Sequence, residues 1–147
     1  MQDIEFKLKR EELHLSQTEL SELWSVSLRT LQRWERGDFK IPEERAQQIT
    51  QMLDDVNNTV IAFFEKLKTV EKDNIIVLLA YNQWNYDGDF EHYKIHYSCL
   101  AKCQDCAKKL GYNVRIVKFK PDEYADWLAG REDNQVMRSQ WASLQLI

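Results

Sequence analysis

The sequence predicts a mostly α-helical protein with a small α+β module at its C-terminal end. Three observations carry that expectation. Between Ser16 and Gly37 two short helical segments follow each other, each with its own start and stop signals. From Ala46 to Val70 apolar residues recur at helical spacing over many turns. Two short apolar runs, Ile75 to Tyr81 and Val114 to Phe119, bracket a helical stretch and read as strands.

The composition fits a folded chain. Of 147 residues, 44% are hydrophobic and 30% charged, an ordinary globular mixture rather than that of a disordered chain. This length accommodates one domain or two small ones, and the division expected is 1–56 and 57–147. Only four Gly and two Pro argue against many long loops or a barrel, and five Trp supply large core anchors. The net charge of −4 argues against a protein that coats nucleic acid without specificity. The local balance differs: residues 27–40 hold Arg29, Arg33, Arg36 and Lys40 against Glu35 and Asp38, an excess of two cations. Met1 to Arg10 has no apolar core of a secretory signal, the run Ile75 to Tyr81 is too short to span a bilayer, and the three cysteines are odd in number and clustered. A cytoplasmic location is expected, with no membrane association.

A first helix is predicted over Asp3 to His14. Ser16-Gln17-Thr18-Glu19 is a capping box, in which the Ser hydroxyl and the Glu carboxylate each take one amide of the first turn. The helix it opens presents Leu20, Leu23 and Trp24 on one side. Ser25, Val26 and Ser27 turn the chain, Ser27 caps a third helix from Leu28 to about Arg36 with Leu31 and Trp34 facing inward, and Gly37 stops it. Pro42 with Glu43 and Glu44 starts the next helix. Asp54 to Asn58 weakens helical propensity there, so two helices in series are expected over the stretch to Val70. Beyond it the prediction is a buried strand at Ile75 to Tyr81, a loop from Asn82 to Asp89, a helix from Phe90 to Leu110, a strand from Tyr112 to Phe119, a helix opened by Pro121, and a last helix from Asp133 to Leu144. Strand, helix and strand in that order imply a parallel pair.

Residues Phe6 to Leu53 resemble the DNA-binding domain of the phage lambda and 434 repressor and Cro family, through Ser16-Gln17-x-Glu19-Leu20, Val26-Ser27 and Trp34-Glu35-x-Gly37. The resemblance implies a lambda-repressor-like helix-turn-helix bundle that binds double-stranded DNA. Its second helix crosses the phosphate backbone and its third lies in the major groove. Matched by position, Leu28, Arg29, Gln32 and Arg33 face base edges, and Gln17 meets a phosphate and braces the reading helix. Ser27 and Thr30 are candidate phosphate donors, and Arg36 and Lys40 add backbone affinity. Arginine suits this work because its fork matches guanine O6 and N7. Two positions depart from the family: Ser21 stands where Ala is usual and Ser25 where Gly is usual. Trp24 and Trp34 are bulkier than usual, which implies that something packs on the unit from outside.

One such unit reads only a few base pairs, so a homodimer on an inverted repeat is expected. The surfaces available for it are the apolar stripe Ile49 to Val70 and an incomplete sheet. The layout of the C-terminal part loosely resembles anti-CRISPR-associated regulators, which repress their own operons as dimers. Alternatives are a ligand-sensing regulator with a pocket along Tyr81 to Phe90, and an antitoxin-type protein whose C-terminal module binds a partner protein. His92, His96, Cys99, Cys103 and Cys106 form one stripe on a helix and carry ligands suited to zinc or copper. A straight helix presents them in a row, however, so they are read as packing, beside a core stripe of Tyr93, Tyr97, Leu100, Cys103, Ala107 and Leu110. Neither a metal nor another cofactor is expected. No phosphate-binding glycine loop, nucleophile elbow or H-E-x-x-H occurs, and Asp87, Asp89 and Glu91 read as loop and cap, so an enzyme is not expected.

Overall fold

The computed structural model describes residues 1–146. Seven helices and two strands appear in the order α1 (Asp3–Glu12), α2 (Gln17–Trp24), α3 (Leu28–Glu35), α4 (Glu43–Leu67), β1 (Ile75–Ala80), α5 (Tyr93–Lys109), β2 (Asn113–Lys118), α6 (Pro121–Leu128) and α7 (Gln135–Leu144). The fold is therefore mostly helical with a two-stranded sheet. Among the described residues no helix is long and apolar enough to cross a membrane.

The chain divides into two compact units. The first holds Met1–Ala62 with Asp89–Cys99, and the second holds Phe63–Gly88 with the chain from Leu100 onward.

In the first unit the core is built where the helical periodicity places it. Phe6, Leu13, Leu15, Leu20, Leu31 and Ile49 are all but sealed from solvent. The early part of α5 belongs to this unit as well: Ile95 and Ser98 are fully buried, and the Ser98 hydroxyl donates to the Glu12 carbonyl at the end of α1. That bond satisfies a carbonyl which the end of a helix leaves without an intrahelical partner.

α1, α2 and α3 end by one device. A residue in the left-handed region reverses the chain, and two amides return to the last turn. His14, Ser25 and Gly37 take that conformation at φ 62°, 53° and 78°. At α3, Gly37 N–H donates to Trp34 O at 3.2 Å and Asp38 N–H to Arg33 O at 3.0 Å. At α2, Ser25 N–H donates to Glu22 O and Val26 N–H to Ser21 O in the same pattern.

α4 corrects the expectation of two helices in series. It runs unbroken for 25 residues. The polar stretch that lowers propensity is stitched along the helix by side chains one turn apart: Gln51 donates to the Asp55 carboxylate at 2.8 Å and Thr59 to the Asp55 carbonyl at 2.9 Å. Burial of Met52, Leu53 and Val56 outweighs a weak propensity.

In the second unit β1 and β2 are parallel, with Ile75 beside Asn113 and Leu78 beside Ile116. Val77, Leu79 and Val117 pack against Phe119, Tyr124, Leu128 and Trp141, an aromatic cluster extended by Tyr81. Ile76, Leu78 and Val114 pack against Leu67, Ala107 and Tyr112. The Tyr112 hydroxyl lies 2.6 Å from the carbonyls of both Leu67 and Val70. The prediction of a buried first strand is corrected: Ile76 to Ala80 are half-buried and Ile75 is exposed. Two strands leave an edge on each side, so a continuous apolar run does not by itself secure full burial.

Candidate nucleic-acid interface

The local sequence sets both caps that fix the interface. Ser16 Oγ accepts from Glu19 N–H at 3.0 Å, and Glu19 Oε1 accepts from Ser16 N–H at 2.9 Å, closing the capping box of α2. Those backbone and hydroxyl bonds outweigh partial burial and hold the Glu19 carboxyl below its ordinary value, with help from Lys94 and His92. At α3, Ser27 Oγ accepts from Thr30 N–H at 3.0 Å and lies 2.7 Å from Thr30 Oγ1. The two hydroxyls therefore sit together at the N-terminus of α3.

Leu31 and Trp34 turn inward, which leaves Leu28 and Arg29 exposed and Gln32 and Arg33 half-buried on the other side. Leu28 is 38% exposed. Arg36 and Lys40 are exposed beyond the helix, and Arg36 Nε lies 3.1 Å from Asp38 Oδ2. Arg33 stacks on Phe39, with its guanidinium carbon 4.9 Å from the ring centre.

Beneath this surface lies an ion pair that the spacing of apolar residues did not reveal. Arg10 Nε and Nη2 donate to the two Glu35 oxygens at 2.7 and 2.8 Å, and Nη1 donates to the Leu15 carbonyl at 2.8 Å. The side chains are 8% and 3% exposed. The pair raises the Arg10 pKa above its ordinary value, chiefly through the Glu35 hydrogen bonds and against the cost of burial. It ties α1 to the end of α3. Gln17 joins it, donating through Nε2 to Glu35 Oε1 at 3.2 Å, so the first residue of α2 is fastened to the last of α3. The available sequence signal was Arg10 itself, a cation at the position where the Phe6–Leu13 face calls for an apolar residue.

Gln17 and Gln32 line a surface depression of about 330 Å³ together with Lys7, Glu35 and Arg36. The structure thus gathers Gln17, Gln32 and Arg36 on one surface and adds Lys7, a cation from α1 that sequence reasoning missed. Trp24 and Trp34 both pack on Phe6, with ring centres 6.0 and 6.1 Å away, and Arg45 covers Trp24 at 5.0 Å. Ser21 is buried and its hydroxyl donates to the Thr18 carbonyl at 2.8 Å, which accommodates a polar atom at a position usually held by Ala.

The other candidate sites look different in three dimensions. Cys99 and Cys103 are buried, Cys106 is half-buried, and none of the three is in a disulfide. Among the described residues no group of three or more His, Cys, Asp or Glu is placed to hold a metal ion. The core stripe expected on α5 is also corrected: Cys103 and Ala107 are buried, but Tyr93, Tyr97, Leu100 and Leu110 are only half-buried, while Ile95 and Ser98 are sealed. In the loop from Asn82, Trp84 is 84% exposed. Asp87 does not serve as a cap. It pairs with Arg138, whose guanidinium it meets at 3.0 and 3.2 Å.

Compared with known proteins, residues 6–57 match the family described as Helix-turn-helix. No curated protein matches the chain. The matched segment contains α1 from Phe6 onward, α2 and α3 with their caps, and α4 as far as Asn57. Residues 6–57 are thus a helix-turn-helix domain of the lambda-repressor type, a module of DNA-binding transcriptional regulators.

Proposed function

We propose that the protein is a sequence-specific repressor that binds an inverted repeat as a homodimer. In this reading α3 enters the major groove, where Leu28, Arg29, Gln32 and Arg33 meet base edges. Gln17, Ser27, Thr30, Arg36 and Lys40 hold the phosphates on either side, with Lys7 beside them. The observation that supports it best is the outward face of α3: an apolar group and an unpaired-by-carboxylate arginine on its first turn, braced from behind by the Arg10–Glu35–Gln17 cluster. Arginine reads guanine through two parallel bonds and an exposed aliphatic side chain suits a thymine methyl. The acidic chain as a whole opposes non-specific binding, which makes affinity depend on that local surface. The loose resemblance of the C-terminal part's layout to anti-CRISPR-associated regulators, dimeric repressors of their own operons, is in keeping with the repressor and dimer readings.

Selection of bound sites from random duplex DNA tests this. The expected product is a palindrome whose half-sites are centred about one helical turn apart. Arg29→Ala combined with Arg33→Ala is expected to weaken binding to that site at least tenfold, since each lost bidentate contact costs about 1–3 kcal/mol. Unchanged specific affinity in that double variant sinks base reading by α3. A monomer in sedimentation at micromolar concentration, with and without the selected duplex, sinks the dimer.

A further inference from the structure

We infer that Phe39 is a specificity-determining positioning residue: it holds the Arg33 guanidinium over its ring so that N–H donors not spent on a carboxylate are presented to a base edge. The inference rests on the reading of α3 as the base-reading helix and deepens it.

The local sequence builds the arrangement. Gly37, at φ 78°, reverses the chain after α3, and the reversal is locked by Asp38 N–H donating to Arg33 O at 3.0 Å. Phe39 N–H points at the same carbonyl, at 3.4 Å. The backbone of residues 37–39 is therefore folded back onto Arg33, and the next side chain in line, Phe39, falls beside its guanidinium at 4.9 Å from the ring centre. Glycine suits this turn because its φ is strained for any side chain.

Three features separate this stack from incidental packing. Phe39 is 50% exposed, so burial alone does not account for a large apolar ring at this position. Glu35 and Asp38, the nearest carboxylates in sequence, are engaged by Arg10 at 2.7 Å and by Arg36 at 3.1 Å and so are diverted from Arg33. A ring also covers only the face of a guanidinium: it leaves the edge donors free, where a carboxylate would consume them. An arginine stacked in this way loses less side-chain freedom on binding than an unrestrained one, which is the usual route by which preorganisation adds affinity.

The test measures affinity for the best selected duplex and for duplexes changed at each base pair, using the full chain and Phe39→Ala, Phe39→Trp, Arg33→Ala and the Arg33→Ala/Phe39→Ala pair. Phe39→Ala is expected to weaken the selected duplex roughly two- to fivefold. It should flatten discrimination at the base pair that Arg33→Ala also flattens, with little change on non-specific DNA. Phe39→Trp is expected to retain affinity and discrimination, and the two alanine changes are expected to be non-additive. If Arg33→Ala costs affinity while Phe39→Ala does not, or if Phe39→Trp fails as badly as Phe39→Ala, the stack is incidental and the inference falls alone. If Arg33→Ala itself changes nothing, base reading by Arg33 falls, and this inference with it.

Discussion

Each unit contains a largely buried arginine held by carboxylates, and the two are used in opposite ways. Arg10 is sealed inside the first unit, chiefly against Glu35, itself 3% exposed. Arg138 lies at the rim of the second unit, 11% exposed, bracketed by Asp133 and Asp87, whose side chains are 44% and 59% exposed. Around Arg138 stand the rings of Tyr81, Phe119 and Tyr124, and the Tyr81 and Tyr124 hydroxyls bond Arg138 and Asp133 respectively. The first unit is thus pinned at its centre by an ion pair that ties its helices together. The second is held by aromatic packing, with the guanidinium closing its edge. A buried pair of charges contributes definition of geometry more surely than net stability, because desolvation offsets much of its attraction. That suits a surface whose helices must keep a fixed angle on a duplex.

The sharpest way to break this comparison is to remove one member of each centre. Glu35→Ala leaves the Arg10 guanidinium buried without its carboxylate and is expected to cost about 3–5 kcal/mol in denaturant unfolding. Trp141→Ala, at a site 2% exposed in the aromatic cluster, is expected to cost a similar 3–5 kcal/mol. The two then part company. Replacing Arg10 and Glu35 together by Met and Leu is expected to restore most of the lost stability. If the double replacement is as unstable as Glu35→Ala alone, the pair is a net source of stability and the contrast fails.

Smaller changes refine the picture. Ser16→Ala removes one half of the capping box and is expected to cost about 1 kcal/mol by the same measurement. Ser25→Gly is expected to stabilise the first unit by about 0.5–1 kcal/mol, because a left-handed residue without a Cβ carries no strain there.

The smallest expected effect is one of pH. Hydrogen bonds from Arg138 and from the Tyr124 hydroxyl hold the Asp133 carboxyl at about 2, below its ordinary 3.8. A carboxyl depressed on folding contributes stability above its unfolded value and loses it as the pH falls through the folded one. Asp133→Asn is therefore expected to flatten the pH dependence of stability between about pH 4 and pH 2, and to leave Arg10 and Glu35 untouched. Because Asp133 is substantially exposed, the change should be modest. An unaltered acid-unfolding profile would show that the Asp133–Arg138 contact is not maintained in solution.

Much of the fold was legible in the sequence, and the reason is local. Caps are written in short spans: Ser16 with Glu19, Ser27 with Thr30, and Gly37 after Trp34 act within one turn, so residue type alone implies geometry. The parallel pairing of Ile75–Ala80 with Asn113–Lys118 was legible for a related reason, since strand, helix and strand leave few topologies open. The unbroken α4 was missed because propensity weighs residues singly, while burial of one face and side-chain bonds one turn apart decide the outcome.

What the sequence determined by itself is the order of α1, α2 and α3, the caps of α2 and α3, and which side of α3 turns inward; each follows from periodicity and from bonds spanning three or four residues. Only the tertiary structure decided that Arg10 meets Glu35 across 25 positions, that Ser98 satisfies the end of α1 from 86 residues away, and that Asp87 reaches Arg138. Such contacts join groups whose separation along the chain carries no periodic signature. They form because a polar atom left buried without a partner is costly, and the folded chain supplies whichever partner it brings within reach.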